Sequence, residues 1–373
     1  MAGKIVPVTE RVARARSLLA RRGLDAVLAT APASIRWLSG MSDLRWMLVT
    51  RNGAVAMPSG LAVQAARTAL SGPVKVLRPG QGWGPLADEM ERAGFHRMGF
   101  EDSTMSVEVH ARLRQATGSA ILPVPAGRFF EHLREQKAPD ERKSIRRASE
   151  ITAQVASWLP MLISPGMTEK ELAARVDSLM RLSGADAPAF ETIALSGART
   201  SMPHGVPGKR KIMAGDLVLV DFGAKVDGYH SDCTRTFSAG LPDFRQKEAY
   251  RRVYRAYIAA RNRVSPGIRG DVPWRAAHKS LGGWGKYFIH GLGHGVGLEI
   301  HEAPSMSKGS SDFIRAGQFV TVEPGIYIPG WGGIRLEDTV VVSSRGAIPV
   351  TGLLSAHLPV AGKTSVGGGG GGI

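Results

Sequence analysis

The stretch of sequence that decides the fold is LVLVDFGAKVDGYHSDCTRTF, residues 217–237. Its Val, Leu, Thr and Phe residues are typical of β-strands, and they predict two paired strands, Leu217–Ala224 and Gly228–Phe237. The Lys-Val-Asp sequence at 225–227 would form the turn between them. The stretch therefore predicts a β-hairpin in the carboxyl-terminal half of the chain.

Two acidic residues, Asp221 and Asp232, stand in this apolar hairpin eleven positions apart. A carboxylate is costly to bury unless a cation or hydrogen bonds compensate its charge. Because a hairpin can bring both carboxylates to one point, the pair is compatible with a metal site. For these two residues alone a second interpretation is equally good, in which Asp221 caps a turn and Asp232 forms an ion pair with Arg235.

Three histidines follow in the glycine-rich segment HGLGHGVGLEIHEAP, residues 290–304. They are His290, His294 and His301. Glycines let the backbone approach a site closely, and imidazole is the commonest side-chain metal ligand. Their spacing does not match the helical H-E-x-x-H motif, which disfavours a single-zinc peptidase.

Two further acids occur in FVTVEPGIYIPGWGGIRLEDTVVV, residues 319–342. Glu323 lies at the end of an apolar strand, which is unusual for a solvated acid. Glu337 lies beside a second apolar strand. An ion pair between Glu337 and Arg335 is the alternative interpretation of the second acid. The strands predicted here are Phe319–Val322, Gly325–Ile328 and Asp338–Val342.

The combination of one imidazole with four carboxylates indicates more than any single residue does. The set consists of Asp221, Asp232, His294, Glu323 and Glu337. Oxygen-rich sets with one imidazole suit Mn²⁺, Co²⁺, Fe²⁺ or Zn²⁺. Since carboxylates can bridge, these residues suffice for two ions about 3.5–4 Å apart. We therefore interpret them as the ligands of a two-metal hydrolase site.

The amino-terminal part of the sequence predicts a small α/β domain. An amphipathic helix is expected over residues 9–22, with Gly23 as its stop. A second helical stretch lies near Leu61–Leu70, and the LPVPAG segment around Pro123–Pro125 is expected to break the pattern. The short strands predicted between the two helices are Ala26–Ala29, Trp46–Val49 and Ala54–Ala56.

Four helices are predicted after this domain. Charged residues at 138–150 open the first, and a capping box of Thr168 and Glu171 opens the second, which continues through Leu182. The other two cover residues 243–263 and residues 272–282, the last with Asp271 as cap and Pro273 in its first turn.

Length and composition limit the classes of protein to consider. A chain of 373 residues with 43% hydrophobic residues suits two domains. The formal charge of +16 comes from scattered basic residues, which favours a solvated basic surface over nucleic-acid binding. No apolar run reaches the ~20 residues that span a bilayer, and the start lacks the apolar core of a secretory signal. The single cysteine, Cys233, excludes an internal disulfide and predicts the reducing cytoplasm.

These segments resemble metallopeptidase family M24, the pita-bread peptidases that include methionine aminopeptidase, Xaa-Pro aminopeptidase and prolidase. The motifs that carry the resemblance are PHG at 203–205, DFGAKVDGYHSDCTRTF at 221–237, HGLGHGVGLEIHE at 290–302, VEPGIY at 322–327 and GGIRLED at 332–338. Residues 1–126 resemble the amino-terminal domain of creatinase and prolidase, which methionine aminopeptidases usually lack. The resemblance thus implies an α+β fold, with a smaller α/β domain (1–126), a pita-bread catalytic domain (127–352) and a carboxyl-terminal tail (353–373). We expect the GGGGGG run at 367–372 of that tail to be disordered.

The resemblance also implies how metals would be shared. Asp221 would bind one divalent ion, His294 and Glu323 the other, and Asp232 and Glu337 both. Mn²⁺ is the first expectation, with Co²⁺, Zn²⁺ or Fe²⁺ as alternatives. A hydroxide that bridges the two ions would be the nucleophile.

Other residues acquire roles from the same resemblance. Glu323 would move a proton to the leaving nitrogen, His301 would stabilise the tetrahedral intermediate, and His204 would act beside the scissile amide. The proline ring would lie against His290. The residues implied in substrate binding are His204, Tyr229, His290, His301 and Arg335.

The resemblance favours an Xaa-Pro aminopeptidase that takes peptides with proline at the second position, and it implies a homodimer. An Xaa-Pro dipeptidase is the nearest alternative. Hydrolysis of a C–N bond in a small non-peptide compound and a non-catalytic binding role are less favoured, because the whole ligand set is present.

Two segments depart from the family pattern: MPSGLAVQAART replaces an Asp-x-Arg-Tyr segment, and Glu302–Ala303–Pro304–Ser305 stands where relatives often have Glu-Gly-Pro-Arg. Both departures concern how a substrate carboxylate or a partner subunit is held, and leave the metal ligands intact.

Overall fold

A computed structural model describes residues 7–70, 72, 74–78, 83–352 and 354–362. The chain forms two compact units, and the boundary between them lies between Arg134 and Glu135. The domain limits that we placed after residues 126 and 352 stay predictions, and the glycine run at 367–372 lies outside the described residues. Within the described ranges no helix is both long and apolar enough to cross a membrane.

The first unit is built on one mixed, six-stranded sheet in the order β4-β3-β2-β1-β5-β6. β1 is buried along its whole length because it runs antiparallel to β2 on one side and parallel to β5 on the other. The strands are β1 (Ala26–Ala29), β2 (Leu44–Thr50), β3 (Ala54–Pro58), β4 (Val74–Val76), β5 (Arg97–Phe100) and β6 (Leu122–Pro125). The helices are α1 (Val8–Arg22), α2 (Pro32–Ser39), α3 (Val63–Ala69), α4 (Gly84–Arg92), α5 (Val107–Thr117) and α6 (Phe129–Glu135). The predicted first helix, its stop at Gly23 and the three predicted strands are confirmed.

The LPVP segment corrects an expectation. It forms strand β6, parallel to β5, where we expected the prolines only to break the pattern. Proline cannot donate a hydrogen bond to a sheet, but β6 is the edge strand and pairs on one side only. The two prolines, Pro123 and Pro125, are therefore tolerated there.

The second unit contains four α-helices and four sheets among its described residues. The helices are α7 (Pro139–Leu162), α8 (Glu169–Leu182), α9 (Phe244–Arg261) and α10 (Asp271–Leu281). The strands are β7 (Ala187–Pro188), β8 (Ile193–Ser196), β9 (Leu217–Phe222), β10 (Ala224–Val226), β11 (Tyr229–His230), β12 (Cys233–Ala239), β13 (Gly293–Gly295), β14 (Glu302–Met306), β15 (Phe319–Val322), β16 (Gly325–Ile328), β17 (Gly332–Arg335), β18 (Asp338–Ser343), β19 (Gly346–Pro349) and β20 (Val360–Ala361).

This unit has two hydrophobic cores, one in each half. In the first, α7 and α8 pack on the sheet β20-β12-β9-β8, with Val155, Val176 and Val218 among the buried residues. In the second, α9 and α10 pack on residues of the sheet β14-β13-β15-β18-β19, including Val320 and Val340. Each half thus has helices covering one face of a sheet.

The predicted hairpin exists, but its turn is displaced. Lys225 and Val226 belong to β10 and pair with β11, so that Asp227 and Gly228 form a two-residue turn. Both turn residues have positive φ, 51° and 80°, as the hairpin turn favoured by Asp-Gly requires. The first predicted strand is interrupted at Gly223 and the second at Ser231 and Asp232. The two interruptions lie side by side, since a Cβ atom at Gly223 would collide with the carbonyl of Ser231. The longer pair, β9 and β12, runs antiparallel behind this turn.

Helix starts follow local chemistry. At α8 the Thr168 hydroxyl accepts from the Glu171 amide at 3.2 Å while the Glu171 carboxylate accepts from the Thr168 amide at 2.7 Å, which confirms the capping box. At α10 the expectation was wrong by one residue. Gly270 is the cap, and Asp271 is the first helical residue, where its carboxylate accepts a hydrogen bond from Arg275 one turn later. An acid in the first turn also interacts favourably with the helix dipole.

Candidate metal centre

Strand alternation places the predicted metal ligands on the faces opposite the two cores. In β9, Val218 and Val220 enter the first core, and Asp221 points to the other face. After β15, Glu323 continues the face of Thr321, since Val320 and Val322 enter the second core. The same alternation applies to Asp232 before β12 and to Glu337 beyond β17, while His294 lies in β13. The two halves of the unit therefore turn these residues toward one another.

Three of the predicted ligands already form a compact group. Asp232, His294 and Glu337 each offer a ligand atom, and these atoms lie within 4.8 Å of one another. His294 Nε2 is 3.6 Å from Asp232 Oδ2 and 3.4 Å from Glu323 Oε1, so that Glu323 lies at the same place. Four of the five predicted ligands are thus brought together directly, and the fifth, Asp221, joins them as part of the same cavity lining.

Two carboxylate oxygens in this group have no hydrogen-bond partner. Asp221 Oδ1 and Glu337 Oε1 are both buried, and no described residue donates to either. A buried carboxylate oxygen without a donor is costly, unless a cation occupies the space beside it. This donor set of oxygens and one imidazole fits divalent metal ions.

Arg335 corrects one of the ion-pair interpretations. Its guanidinium forms a short, buried ion pair with Asp221, and not with Glu337. It also donates to the Tyr327 hydroxyl at 2.8 Å and to the Thr234 hydroxyl at 2.9 Å. Because every side of the guanidinium is engaged, Arg335 orients the Asp221 carboxylate within the cluster.

The second ion-pair interpretation, Asp232 with Arg235, is also wrong. Arg235 Nη2 donates to Asp338 at 2.8 Å and to the Thr351 carbonyl at 2.9 Å, and its Nη1 donates to the backbone carbonyl of Glu337. Arg235 therefore fixes the backbone beside Glu337 from behind and leaves Asp232 without an arginine partner.

The charges in the cluster shift one another's protonation. Burial lowers the pKa of His294, but hydrogen bonding to Glu323 and the nearby carboxylates outweigh it and raise that pKa to about 9. Burial would raise the pKa of Glu323, yet the hydrogen bond and charge of His294 bring it down to about 2. Burial and mutual repulsion raise the pKa values of Asp232 and Glu337 well above the ordinary range. When no metal is bound, these raised pKa values favour the protonated forms of His294, Asp232 and Glu337.

Threonine hydroxyls support the ligands, and sequence reasoning missed them. Thr234 donates to Glu337 Oε2 at 2.6 Å. Thr321 donates to Glu323 Oε1 at 3.1 Å and accepts from the His294 amide at 3.1 Å. Each threonine lies two residues along the chain from a ligand, Thr234 from Asp232 and Thr321 from Glu323, and so shares its face. That spacing is the signal that would have found them.

Glycines on both sides of His294 allow the strands to approach. A Cβ atom at Gly293 would lie 2.2 Å from the Thr321 carbonyl oxygen, and one at Gly295 would lie 2.1 Å from that of Ala303. Only glycine fits at either position without moving backbone. The glycine-rich character of this segment is therefore explained by close packing around the imidazole.

The cluster lies in the wall of a cavity of about 390 Å³. The other predicted site residues that line it are His204, His290, His301 and Arg335. Phe190, Ile193, Pro203 and Ile300 form an apolar part of the lining that sequence reasoning did not identify. The His294 and His301 rings pack edge to face, with centroids 4.2 Å apart.

His290 has a defined hydrogen-bonding state. Its Nδ1 atom lies 2.6 Å from the Gly291 carbonyl, which only accepts, so that Nδ1 carries the proton. Its Nε2 atom lies 2.9 Å from the Tyr327 hydroxyl, which then donates to it and accepts from Arg335. Burial lowers the pKa of His290 and favours this neutral form. Both ring nitrogens are committed, and His290 offers the cavity its ring surface.

Tyr229 is the one predicted site residue that the structure does not place with the others. It is absent from the cavity lining, and its hydroxyl donates to Glu141 of α7 at 3.0 Å. Its position in β11 turns it toward the helix that covers the first core. A role of Tyr229 in substrate binding stays a prediction.

Comparison with known proteins identifies two family models in the chain. Residues 143–344 match the model of metallopeptidase family M24. Residues 11–136 match the model of the creatinase/prolidase N-terminal domain. Together they account for both units of the structure.

Similar proteins have been described as peptidases that act at proline. An Xaa-Pro dipeptidase from Pyrococcus horikoshii is 34% identical, over 92% of this chain and 97% of its own length. Among solved structures, an Xaa-Pro dipeptidase from Bacillus anthracis superposes with a TM-score of 0.89 at 31% identity, covering 95% of this chain and 99% of that one. An X-Pro aminopeptidase from Thermotoga maritima superposes with a TM-score of 0.83 at 30% identity, covering 93% and 100%.

Proposed function

This chain belongs to metallopeptidase family M24, with a creatinase-type amino-terminal domain before the pita-bread catalytic domain, and from that premise we propose that it is an Xaa-Pro aminopeptidase. It would release the first residue of peptides that have proline in second position. The observation that carries the proposal is the group of Asp232, His294 and Glu337, whose ligand atoms converge beside an apolar cavity.

The five predicted ligands would hold two divalent metal ions. Asp221 would serve one ion, His294 and Glu323 the other, and Asp232 and Glu337 both. When bound, the ions would lower the pKa of a water molecule and polarise the scissile carbonyl. The buried, donor-free oxygens of Asp221 and Glu337 support this assignment.

The protein's own residues would manage protons and orientation. Glu323 is the strongest carboxylate acid of the cluster, with a pKa of about 2, and it lies 3.4 Å from His294. With His294 and Glu323 holding a cation, Glu323 would be the carboxylate that accepts a proton and delivers it to the leaving nitrogen. His301 and His204 line the same cavity, where we expect them to hydrogen-bond the substrate on either side of the scissile bond.

An apolar cavity wall suits proline. The amide nitrogen of an Xaa-Pro bond belongs to the proline ring and carries no hydrogen, so that a site which requires that N–H handles the bond poorly. Here Phe190, Ile193 and Ile300 supply apolar surface, and His290 has no free nitrogen. A ring can be recognised by shape in such a place.

The choice of aminopeptidase over dipeptidase depends on the lysine and arginine side chains in the cavity. A dipeptidase must hold the free carboxylate of its substrate close to the scissile bond. Among the described residues that line the cavity, Arg335 is the only lysine or arginine, and it is engaged with Asp221, Tyr327 and Thr234. Position 305, where relatives often have arginine, is a serine. This arrangement favours substrates whose chain continues beyond proline.

An Xaa-Pro dipeptidase is the second candidate, supported by the names of the relatives from Pyrococcus horikoshii and Bacillus anthracis. The intact ligand set disfavours a binding-only role and hydrolysis of a small non-peptide compound. A homodimer, Mn²⁺ as the preferred ion and a cytoplasmic location remain our expectations.

Cleavage of Ala-Pro and of Ala-Pro-Ala, measured side by side with Mn²⁺ and with Co²⁺, tests the proposal. We expect the tripeptide to give the higher kcat/KM, with alanine released, and Ala-Ala-Ala to be a poor substrate. A clear preference for Ala-Pro would establish the dipeptidase instead. Failure to cleave either proline peptide with any divalent ion would remove both assignments.

A further inference from the structure

Both ends of the loop that carries His204 meet at one buried carboxylate, beside hydrogen bonds from Arg210 to the Ser196 hydroxyl and from the Lys170 amide to the Gly208 carbonyl. The loop, residues 196–208, leaves β8, forms a short helix at Gly197–Ser201 and exposes His204 near its tip. We propose that Glu169 is a positioning residue, which closes this loop and thereby holds His204 at the cavity. The role given to His204 rests on the proposed function, and the closure of the loop does not.

The Glu169 carboxylate receives hydrogen bonds from both ends of the loop. At the first end, Oε1 accepts from the Ser196 amide at 2.9 Å and from the Ser196 hydroxyl at 3.0 Å. At the far end, Oε2 accepts from the Gly208 amide at 2.9 Å. Arg199, inside the loop, donates to Oε2 through Nε at 3.0 Å. One side chain therefore joins residues twelve positions apart in the sequence.

Arg199 extends the same connection toward the tip. Its Nη2 atom donates to the Val206 carbonyl at 2.7 Å. Glu169 thus fixes Arg199, and Arg199 fixes the backbone two residues after His204. The tip between these anchors includes Met202 and Val206, which are 50% and 69% exposed, and its contact with the cluster is a long hydrogen bond of 3.4 Å from Arg335 to the Pro203 carbonyl.

The negative charge of Glu169 is essential to this arrangement. The side chain is only 1% exposed, and all of its described partners are donors. An amide of the same size would turn an NH₂ group toward Gly208 and Arg199, or toward Ser196, and leave donors facing donors. Hydrogen bonds to a charged acceptor are about twice as strong as neutral ones, so that a Glu169→Gln change should release one end of the loop.

Helix α8 itself offers a matched control. Glu171 lies in the same first turn, forms the capping box with Thr168 and is exposed to solvent. Any effect that arises only from losing an acid at the helix N-terminus should appear in Glu171→Gln. An effect that arises from the loop should appear in Glu169→Gln alone.

The first test measures the loop without reference to activity. Hydrogen–deuterium exchange should become about tenfold faster in Glu169→Gln at the amides of Met202 and Gly205, which donate to the carbonyls of Arg199 and Met202, and stay unchanged there in Glu171→Gln. Equal protection in Glu169→Gln and the unmodified protein would overturn the proposal. If Glu169→Gln does not fold, Arg199→Gln, which removes a partly exposed partner, must show the same faster exchange at the tip.

The second test is a double-mutant cycle on kcat/KM with Ala-Pro-Ala. Glu169→Gln should lower kcat/KM about tenfold, as loss of a supporting partner commonly does, but by less than about twofold in a His204→Asn background. Equal losses in both backgrounds would show that Glu169 does not act through His204. If the unmodified protein cleaves no proline peptide, the proposed function fails while the exchange experiment still decides whether Glu169 closes the loop.

Discussion

The Nε2 atom of His294 lies 3.4 Å from Oε1 of Glu323. This pair links the chemistry of the metal centre to pH, because hydrogen bonding to Glu323 raises the pKa of His294 to about 9. At pH 7 the metal-free imidazole is therefore protonated, and a metal ion must displace that proton.

The first prediction is that metal binding releases protons and strengthens as pH rises. Below its pKa of about 9 His294 is protonated, so that the apparent metal affinity should rise about tenfold for each unit of pH because of this one proton, and the rise ends above that pKa. Asp232 and Glu337, whose pKa values are raised, add to the release. Calorimetric titration with Mn²⁺ between pH 6.5 and 8.5, in buffers of different ionisation enthalpy, measures it. An affinity that does not change with pH would contradict the predicted protonation of His294.

The second prediction concerns Asp232, which we expect to contact both ions. Asp232→Asn should remove most bound metal and lower cleavage of Ala-Pro-Ala by at least about 10³-fold, because the cations supply several kcal/mol of charge stabilisation. Asp227→Asn is the matched control: it lies in the exposed hairpin turn, and asparagine tolerates its positive φ of 51°. Metal content and kcat/KM measured on both variants are decisive. Full activity in Asp232→Asn would refute the two-metal assignment.

The third prediction uses the close packing beside His294. Gly293→Ala should displace β13 or β15, because its Cβ would lie 2.2 Å from the Thr321 carbonyl oxygen. We expect a loss of about 1–3 kcal/mol in stability together with weaker metal binding. Gly291→Ala is the control, since its Cβ would meet nothing closer than 3.4 Å. Thermal unfolding and metal titration of the two variants should differ clearly, and matching behaviour would mean that β13 accommodates a side chain.

The fourth prediction concerns a buried ion pair behind His301. Lys137 Nζ lies 2.5 Å from Glu302 Oε2, and the two side chains are 2% and 3% exposed. Lys137→Met should lower the free energy of unfolding by about 3–5 kcal/mol, because it removes the cation that forms an ion pair with the buried Glu302 carboxylate.

The exposed pair Arg147–Glu150 gives the comparison for that change. Glu150→Gln should alter stability by no more than about 0.5 kcal/mol. Pairing Lys137→Met with Glu302→Gln should recover part of the loss, since the buried negative charge is then removed together with the positive one. Urea unfolding monitored by tryptophan fluorescence compares all three variants, and a small effect of Lys137→Met alone would mean that the carboxylate becomes protonated or solvated.

Local chemistry allowed several elements to be predicted from the sequence. Gly23 ends α1 and Thr168 with Glu171 opens α8 because these signals act between residues a few positions apart. Two other local predictions, the hairpin turn at Asp227 and the start of α10 at Asp271, were each displaced by a residue or two. Aspartate is favoured both at turns and at caps, and a single sequence does not say which backbone angle it adopts.

The residue types of the metal centre were also readable from the sequence, because acids at the ends of apolar strands need a compensating cation. The side chains that pair with these ligands could not be read from the sequence. Arg335 stands two positions from Glu337 in the sequence, yet it pairs with Asp221 across 114 positions. Proximity in the sequence favoured the wrong partner, since alternate residues of a strand share a face without their polar ends meeting.

Tertiary structure alone decided which side chains meet. It placed Tyr229 against Glu141, gave Glu169 both ends of the His204 loop and set Ile193 and Ile300 in one wall. The sequence determined which residues are helical, extended or buried, because those properties depend on neighbours along the chain and on apolar periodicity. Which side chains become partners depends on which strands pack face to face, and the burial of two separate cores decides that packing. These partners are far apart in the sequence, where no local pattern carries information about them.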